Sequence, residues 1–216
     1  MRKLYEKQLE ELHGRIIQMG ALCEVAIACA VKALLEGDAA LRAKAIETEQ
    51  EIDVAEREIE QLCVRLLLHQ QPIASDLRHV TAAQRMIVDM ERIGDQAQDI
   101  AEISEYMLGS PVKSDVHISE MARSASKMVT DAIEAFVRKD LALARSVVAY
   151  DDVVDERFEK IKEELVELLT LHREYAKDCL DLLMIAKYLE RIGDHAENLA
   201  EWVLYYLTGS RGDGKA

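Results

Sequence analysis

A twelve-residue segment that occurs twice is the feature of this sequence that most constrains its fold. Residues 190–201 (ERIGDHAENLAE) repeat residues 91–102 (ERIGDQAQDIAE), with eight of twelve positions identical and an offset of 99 residues. A near-duplicate at such a distance indicates the internal repeat of a whole folding unit. In a chain of 216 residues the repeat predicts two similar halves of about 100 residues, a common domain size.

The composition favours helices throughout. Half of the residues are apolar, only 5% are aromatic, and the sequence holds two prolines, Pro72 and Pro111. Alanine, leucine, glutamate and lysine, which favour helices, dominate the remainder. We therefore predict an all-α protein made of two tandem, pseudo-symmetric three-helix bundles.

Helix boundaries follow from the spacing of apolar residues and from helix-breaking residues. Apolar side chains recur every three or four positions between the breakers, as on one face of a helix. Asp38 and Ser75 are suitable N-caps for the helices that follow them. The six predicted helices span residues 4–35, 39–68, 76–108, 115–138, 141–171 and 174–207.

The breaker cluster at residues 109–114 predicts the boundary between the two halves. The predicted domains are residues 1–109 and 110–208, followed by a disordered tail at 209–216. Short connections within each half make consecutive helices antiparallel neighbours.

Charge and cysteine content narrow the function. A net charge of −14 disfavours binding to nucleic acids and to anionic lipid surfaces, because both are negatively charged. The four cysteines have no CxxC spacing, which indicates free, buried thiols in a reducing compartment. The sequence shows neither a signal peptide nor a long uninterrupted apolar run. We expect a soluble, cytoplasmic protein that does not insert into a membrane.

Acidic residues recur at matching positions of the predicted helices. In each copy of the repeated segment they stand at positions 1, 5 and 12, which form one stripe on a helix. Like charges four residues apart destabilise a helix, so the stripe needs water or a cation. The candidate metal ligands are Glu49, Asp53, Glu91, Asp95 and Asp99 in the first half, and Asp151, Asp155, Glu190, Asp194 and Asn198 in the second.

The connections predict which acids face each other. A turn near residue 72 places Asp53 level with Arg92, and a turn near residue 173 places Asp155 level with Arg191. Each half should therefore bring two acids of one helix opposite two acids of the next. Gly94 and Gly193 lie at the same height, and each costs about 1 kcal/mol relative to alanine inside a helix. A close approach of two helices is one reason for such glycines.

A solvated surface is the ordinary interpretation of acidic residues on a helix. The duplication and the register across helices favour a cation site instead, which must lie in a surface groove because Met90, Ile93 and Ala97 occupy the opposite side of helix three. Oxygen ligands suit hard cations, and bridging carboxylates allow several ions. We expect divalent or trivalent ions, with Fe, Mn, Mg, Zn and Ca all open.

Histidine contributes little to these sites. His195 follows Asp194 but points away from its stripe, so we interpret it as a surface residue. His13 is the only histidine with a glutamate, Glu10, three residues before it. A ferritin-like di-iron centre needs two such motifs on two helices.

The sequence shows no phosphate-binding loop and no catalytic nucleophile motif. We therefore expect a protein that is not an enzyme. Two alternatives stay open: a carboxylate-bridged metal protein or enzyme of helical-bundle type, and a helical adaptor without metal.

Three motifs carry a resemblance to a known family. Residues 71–78 (QPIASDLR), 91–95 (ERIGD) and 190–194 (ERIGD) resemble those of the PhoU family of phosphate-specific transport regulators, over nearly the whole chain. The resemblance implies the two-bundle fold, and it implies metal binding through E/D-x-x-x-D pairs at the positions given above. One departure is Asn198, a neutral residue where the first half has Asp99, which predicts looser binding in the second half.

The resemblance also implies a regulatory role. It predicts repression of the phosphate-starvation response when phosphate is plentiful. The implied partners are the ATPase subunit of the phosphate transporter and a phosphate-sensing histidine kinase. We further expect a homodimer.

Overall fold

Six long helices build the chain, which we describe from a computed structural model covering residues 2–69, 74–114 and 116–211. No strand occurs in these ranges, and the prediction of an all-α fold with two three-helix bundles is confirmed. Short 3₁₀ turns at Pro111–Ser114 and Arg173–Tyr175 precede the fourth and sixth helices. The helices are α1 (Arg2–Glu36), α2 (Ala39–His69), α3 (Ala74–Ser104), α4 (Ile118–Arg138), α5 (Leu141–Leu171) and α6 (Ala176–Thr208).

The largest differences from the predicted boundaries lie at the junction of the halves. α3 ends at Ser104, earlier than predicted, and the chain continues in turns to Gly109, which adopts a positive φ of 75°. At the other end α3 begins at Ala74, so Ser75 lies within its first turn instead of capping it. The predicted turn at residues 70–73 and the tail beyond Arg211 lie outside the described residues.

In both halves the chain reverses between the first two helices through the same type of turn, a left-handed residue followed by an aspartate N-cap. In the first half Gly37 adopts a left-handed φ of 72°, and the Asp38 carboxylate accepts hydrogen bonds from two backbone N–H groups of α2. In the second half Lys139 takes the left-handed position, with φ of 54°, and Asp140 caps α5. The predicted cap at Asp38 is confirmed, and each cap contributes about 1 kcal/mol.

One continuous hydrophobic core runs through both halves. The halves meet chiefly where α3 packs against α6, and α1 also contacts α4. By length and composition α1 is the one described helix that could cross a membrane. Its residues Leu12, Ile16 and Met19 are fully buried against the other helices. The core helix of a bundle can have the same length and apolar composition as a membrane-spanning helix.

Two mid-helix glycines confirm the predicted register between neighbouring helices. A Cβ atom at Gly94 would lie 3.0 Å from Cδ1 of Ile52, and one at Gly193 would lie 3.2 Å from Cγ1 of Val154. Both contacts fall within one residue of the predicted level. The glycines therefore let α2 approach α3, and α5 approach α6, where the acidic residues lie.

The cysteines are free thiols, as predicted. Cys23, Cys63 and Cys179 are buried, and Cys29 is half-buried. Burial raises the pKa of Cys63 to about 12, so this thiol stays protonated and unreactive at neutral pH.

Candidate metal centre

The first acidic cluster lies in the groove between α2 and α3. It contains four predicted residues, Glu49 and Asp53 on α2 and Glu91 and Asp95 on α3. Burial raises the pKa of Glu49, and the charges of Asp53 and Asp95 raise it further. The pKa of Glu91 is raised by burial and then by Asp95. Acids of both helices thus repel one another across the groove, as the register predicted.

Two arginines offset part of this negative charge. Arg57 lies 3.3 Å from the carboxylate of Asp53. Arg92 lies 2.9 Å from Asp95 and 3.3 Å from Glu91. The first cluster therefore already has internal counter-charges at three of its four acids.

Asp99 faces the second half of the molecule. A hydrogen bond from the Tyr188 side chain of α6 lowers its pKa, but burial raises the pKa more, and the net shift is upward. Arg191 also lies close enough to lower the pKa of Asp99. Asp99 therefore contributes to the contact between α3 and α6 as well as to the acidic stripe.

The second acidic cluster lies between α5 and α6 and holds more interacting acids. Burial raises the pKa of Asp151 to about 7, followed in effect by the charges of Glu197, Asp155 and Asp194. The pKa of Asp155 is raised by burial and then by Glu190. The same two causes, in the same order, raise the pKa of Asp194. These shifts show that the four predicted acids of the second half lie close enough for their charges to act on one another.

Few cations balance the second cluster. Lys187 forms an ion pair with Glu190. Asn198, the fifth predicted residue, accepts a hydrogen bond of 2.9 Å from Arg211, which also pairs with Glu201. The amide oxygen of Asn198 is therefore already satisfied by the end of the chain.

Two acids of the second cluster were missed by the sequence analysis. Glu197 repels Asp194 and Asp155, and Asp152 raises the pKa of Asp151 and of Asp155. The positions equivalent to these acids in the first half are glutamines, so a search for residues shared by the repeats passes over them. The spacing of Glu197, three residues after Asp194, was the available signal.

His195 is more than a surface residue. Its Nδ1 lies 3.0 Å from Oδ1 of Asp89 on α3, and both side chains are largely buried. This contact joins the two halves beside the second cluster. The interpretation of His195 as a plain surface histidine is therefore wrong, because the packing of α6 on α3 covers it.

The chemistry of both clusters suits a hard cation. Oxygen is the only ligand type among the predicted residues, and the unrelieved repulsion is greatest around Asp151. Within the described residues, no three His, Cys, Asp or Glu side chains already stand in a metal-binding arrangement. A bound cation would therefore draw facing carboxylates together from their present positions.

The fold and the site define a class of protein: all-helical, with two repeated three-helix bundles that each carry an acidic groove. A sequence model of the PhoU domain matches the chain twice, over residues 16–104 and 118–203. The chain belongs to the PhoU family.

Two relatives and two solved structures show how far this similarity extends. A phosphate-specific transport system accessory protein PhoU homolog of Pseudomonas aeruginosa is 35% identical over 208 residues, 95% of this chain and 86% of the relative. One of Clostridium acetobutylicum is 34% identical and covers 98% of both chains. The crystal structure of PhoU from Pseudomonas aeruginosa superposes with a TM-score of 0.90 at 35% identity, covering 95% of this chain and all of that one. The phosphate transport system regulatory protein PhoU from Streptococcus pneumoniae gives 0.86 at 26% identity, covering 97% of this chain and all of that one.

Proposed function

We propose that this chain is a non-enzymatic regulator of phosphate uptake and phosphate-starvation signalling in the cytoplasm. The observation that carries this proposal is the match over 98% of both chains to a relative named as an accessory protein of phosphate-specific transport. We expect this chain to act through contacts with other proteins.

The proposed partners are the ATPase subunit of the phosphate transporter and a phosphate-sensing histidine kinase. Because this chain has a net charge of −14, we expect the partners to bind it through basic surface patches. Complementary charge speeds association and makes it sensitive to salt. In cells that lack this protein, we expect phosphate-starvation genes to be expressed even in high phosphate.

Co-purification tests the contacts directly. The tagged chain should retain the transporter ATPase at low ionic strength and release it as salt is raised. Promoter DNA is the matched negative control. Binding to that DNA with a Kd of about 10⁻⁹ M, a strength typical of specific complexes, would contradict regulation by protein contact.

A homodimer is the proposed oligomeric state. Light scattering during size-exclusion chromatography measures it. Twice the chain mass of 24.4 kDa is the expected result, and a single chain mass across the concentration range would refute it.

We infer that the two acidic clusters hold metal ions. Glu49, Asp53, Glu91 and Asp95 would hold one ion or a group of ions in the first half, and Asp99 extends this set. Asp151, Asp155, Glu190 and Asp194 would do so in the second, with Asn198 at its margin. A cation would relieve repulsion between facing carboxylates and tie α2 to α3 and α5 to α6. Fe, Mn, Mg, Zn and Ca are the candidate ions.

Elemental analysis of protein purified without chelator tests the metal sites. The Asp95→Ala/Asp194→Ala variant removes one ligand from each cluster, and its metal content should fall. Glu134→Ala is the matched control, because Glu134 is a partly exposed helical acid paired with Arg138 outside both clusters. Equal metal content in wild type and the double variant would mean that the clusters are solvated surfaces.

A further inference from the structure

One face of α6, near the C-terminal end of this helix, carries three groups that together bind an arginine. Asn198, Glu201 and Trp202 stand at positions i, i+3 and i+4, so their side chains lie on the same face of the helix. Trp202 is the only tryptophan of the chain, and it is half-buried. Neither the acidic clusters nor the proposed regulatory contacts give this tryptophan a role.

Arg211 shows which chemical group this face binds. Gly209 ends α6 in a left-handed conformation with φ of 86°, which turns the chain back toward the helix. The guanidinium group of Arg211 donates hydrogen bonds of 2.8 Å to Glu201 and 2.9 Å to Asn198. Its central carbon lies 4.1 Å from the centre of the Trp202 ring. The face thus offers a carboxylate, an amide oxygen and an aromatic ring to one guanidinium group.

These three groups suit arginine better than lysine. A guanidinium group is planar, so it can stack on an indole ring while its forked N–H groups donate to two oxygens. A lysine ammonium is a compact and strongly hydrated charge, which cannot do both in the same geometry. Arg85 of α3 supports this preference, because its guanidinium carbon lies 6.0 Å from the centre of the Trp202 ring, the outer limit of a cation–π contact.

The shape of this face does not depend on Arg211. All three binding groups belong to α6, and the helix is anchored in the hydrophobic core at Leu199, Ala200 and Val203, which are fully buried. Arg211 is an exposed residue, with 42% of its side chain accessible. Exposed ion pairs are individually weak, so an arginine from another protein can replace Arg211 without disturbing the fold.

Arg211 does not neutralise the surrounding surface. Glu197 stands one turn before Glu201, and its pKa is raised by burial and then by the negative charges of Glu201 and Asp194. A segment with several basic residues could place one arginine on Trp202 and bring further positive charge to these neighbouring acids. Such complementary charge favours a strongly basic segment over a single arginine.

We propose that Asn198, Glu201 and Trp202 form a docking site for an arginine side chain in a basic segment of a partner protein, and that Arg211 occupies this site until the partner displaces it. The inference rests on the proposed function, because it specifies the chemistry of a regulatory contact. A tethered side chain competes at an effective concentration on the order of 1 mM. Arg211 therefore makes the docking site selective for segments that also interact with the neighbouring acids.

The fluorescence of Trp202 tests the docking site in the full chain, because no other tryptophan contributes to the emission. The probes are a tetra-arginine peptide with blocked ends and a tetralysine peptide of equal charge. Tetra-arginine should change the emission of Trp202 and should bind Arg211→Ala about 3- to 30-fold more tightly than wild type, which is the combined strength of an exposed ion pair and a cation–π contact. Tetralysine should bind several-fold more weakly than tetra-arginine.

Further variants separate stacking from charge. Trp202→Leu keeps an apolar side chain and Glu201→Gln keeps the shape of the acid; both should weaken tetra-arginine binding in titration calorimetry. Trp202→Leu should also lose the preference for arginine over lysine, which a general loss of charge cannot cause. The matched control for Arg211→Ala is Arg138→Ala, which removes an arginine of α4 paired with Glu134 and should bind both peptides as wild type does.

Three results would overturn the docking site: no change of Trp202 emission when tetra-arginine is added to Arg211→Ala, equal affinities for the two peptides, or a Trp202→Leu variant that still prefers arginine. Emission that changes with the concentration of wild-type chain alone would identify a second copy as the occupant and refute a partner protein.

Co-purification with the transporter ATPase separates this inference from the proposed function. If wild type retains the ATPase but the peptides do not affect Trp202, the docking site is refuted and the proposed function stands. If the peptide results are as expected but wild type retains no ATPase, the docking site stands and the proposed contact with the ATPase fails.

Discussion

The two acidic clusters come from one repeated sequence, yet their electrostatics differ. In the first, Arg57 and Arg92 pair with acids from both helices. In the second, Lys187 pairs with Glu190, and the acids around Asp151 act together strongly enough to help raise its pKa to about 7. The duplication preserved the position of the carboxylates and not their counter-charges, so equal geometry does not imply equal affinity for a cation.

This difference reverses one expectation from the sequence. Asn198 in place of Asp99 predicted looser binding in the second half. In the structure Asp99 interacts with Tyr188 and Arg191, while the second cluster gains Glu197 and Asp152. We therefore expect the second cluster to gain more from a bound cation.

Metal-dependent stability provides the largest test of this comparison. At a hundredfold excess of metal over its Kd, binding to the folded state stabilises a site by about 2.7 kcal/mol. Asp151→Ala/Asp194→Ala should remove most of the metal-dependent rise in melting temperature, and Asp53→Ala/Asp95→Ala should remove less. Asp194→Asn should be milder than Asp194→Ala because the amide keeps one ligating oxygen. Calorimetric melting with Mn²⁺ and with chelator measures these effects. A larger loss in Asp53→Ala/Asp95→Ala than in Asp151→Ala/Asp194→Ala would show that the second cluster does not gain more from a bound cation.

The pH dependence of metal-free protein is the next test. The pKa of Asp151 is higher in the folded chain than in the unfolded chain, so its protonated form favours folding. That stability is present below about pH 4, the pKa of an unfolded aspartate, and is lost as pH rises through about 7. Asp151→Asn should therefore stabilise the metal-free protein at pH 8 by about 2 kcal/mol, after allowance for solvent screening.

Urea unfolding of the metal-free protein at pH 5 and pH 8 checks this expectation. Glu49→Gln, the matching change in the first cluster, should have the same sign and a smaller size. If Asp151→Asn left the difference between the two pH values unchanged, the strong interaction assigned to the second cluster would be wrong.

The mid-helix glycines should show a smaller difference. Alanine gains about 1 kcal/mol of helix propensity over glycine, but its Cβ crowds the facing helix. At Gly193 the Cβ would meet the branched side chain of Val154 at 3.2 Å and the carboxylate of Asp151 at 3.4 Å. At Gly94 it would meet Ile52 at Cδ1, 3.0 Å away, and at the branched Cγ2, 3.3 Å away. We expect Gly94→Ala and Gly193→Ala each to destabilise by about 1 kcal/mol, so that the two halves differ little here, as measured by thermal melting.

Removal of an arginine should have the smallest effect. Arg92 is about half exposed, and exposed ion pairs contribute about 0.2–1 kcal/mol. Arg92→Gln should change the stability of the metal-free protein by no more than this and should tighten Mn²⁺ binding in the first cluster a few-fold. The control is Arg138→Gln, which breaks the exposed pair with Glu134. Titration calorimetry distinguishes the two variants, and equal Mn²⁺ affinities would argue that counter-charge does not limit the first cluster.

The sequence alone was sufficient for the helices, the two halves and the register of their acids. Helix periodicity, the Asp38 cap and the repeated segment are local signals, and a short connection leaves neighbouring helices only one alignment within about a residue. For this reason Gly94 meets Ile52, and Gly193 meets Val154, close to where the sequence placed them.

Which residues of non-consecutive helices meet was decided only by the tertiary structure. The pairing of His195 with Asp89, the approach of Tyr188 to Asp99 and the meeting of His13 with His79 all depend on how α3 packs on its neighbours. The sequence does not indicate which residues of separate helices will be in contact, since many packings bury the same apolar faces. Burial and neighbouring charge then set which acids and histidines are protonated, and both exist only once the helices have packed.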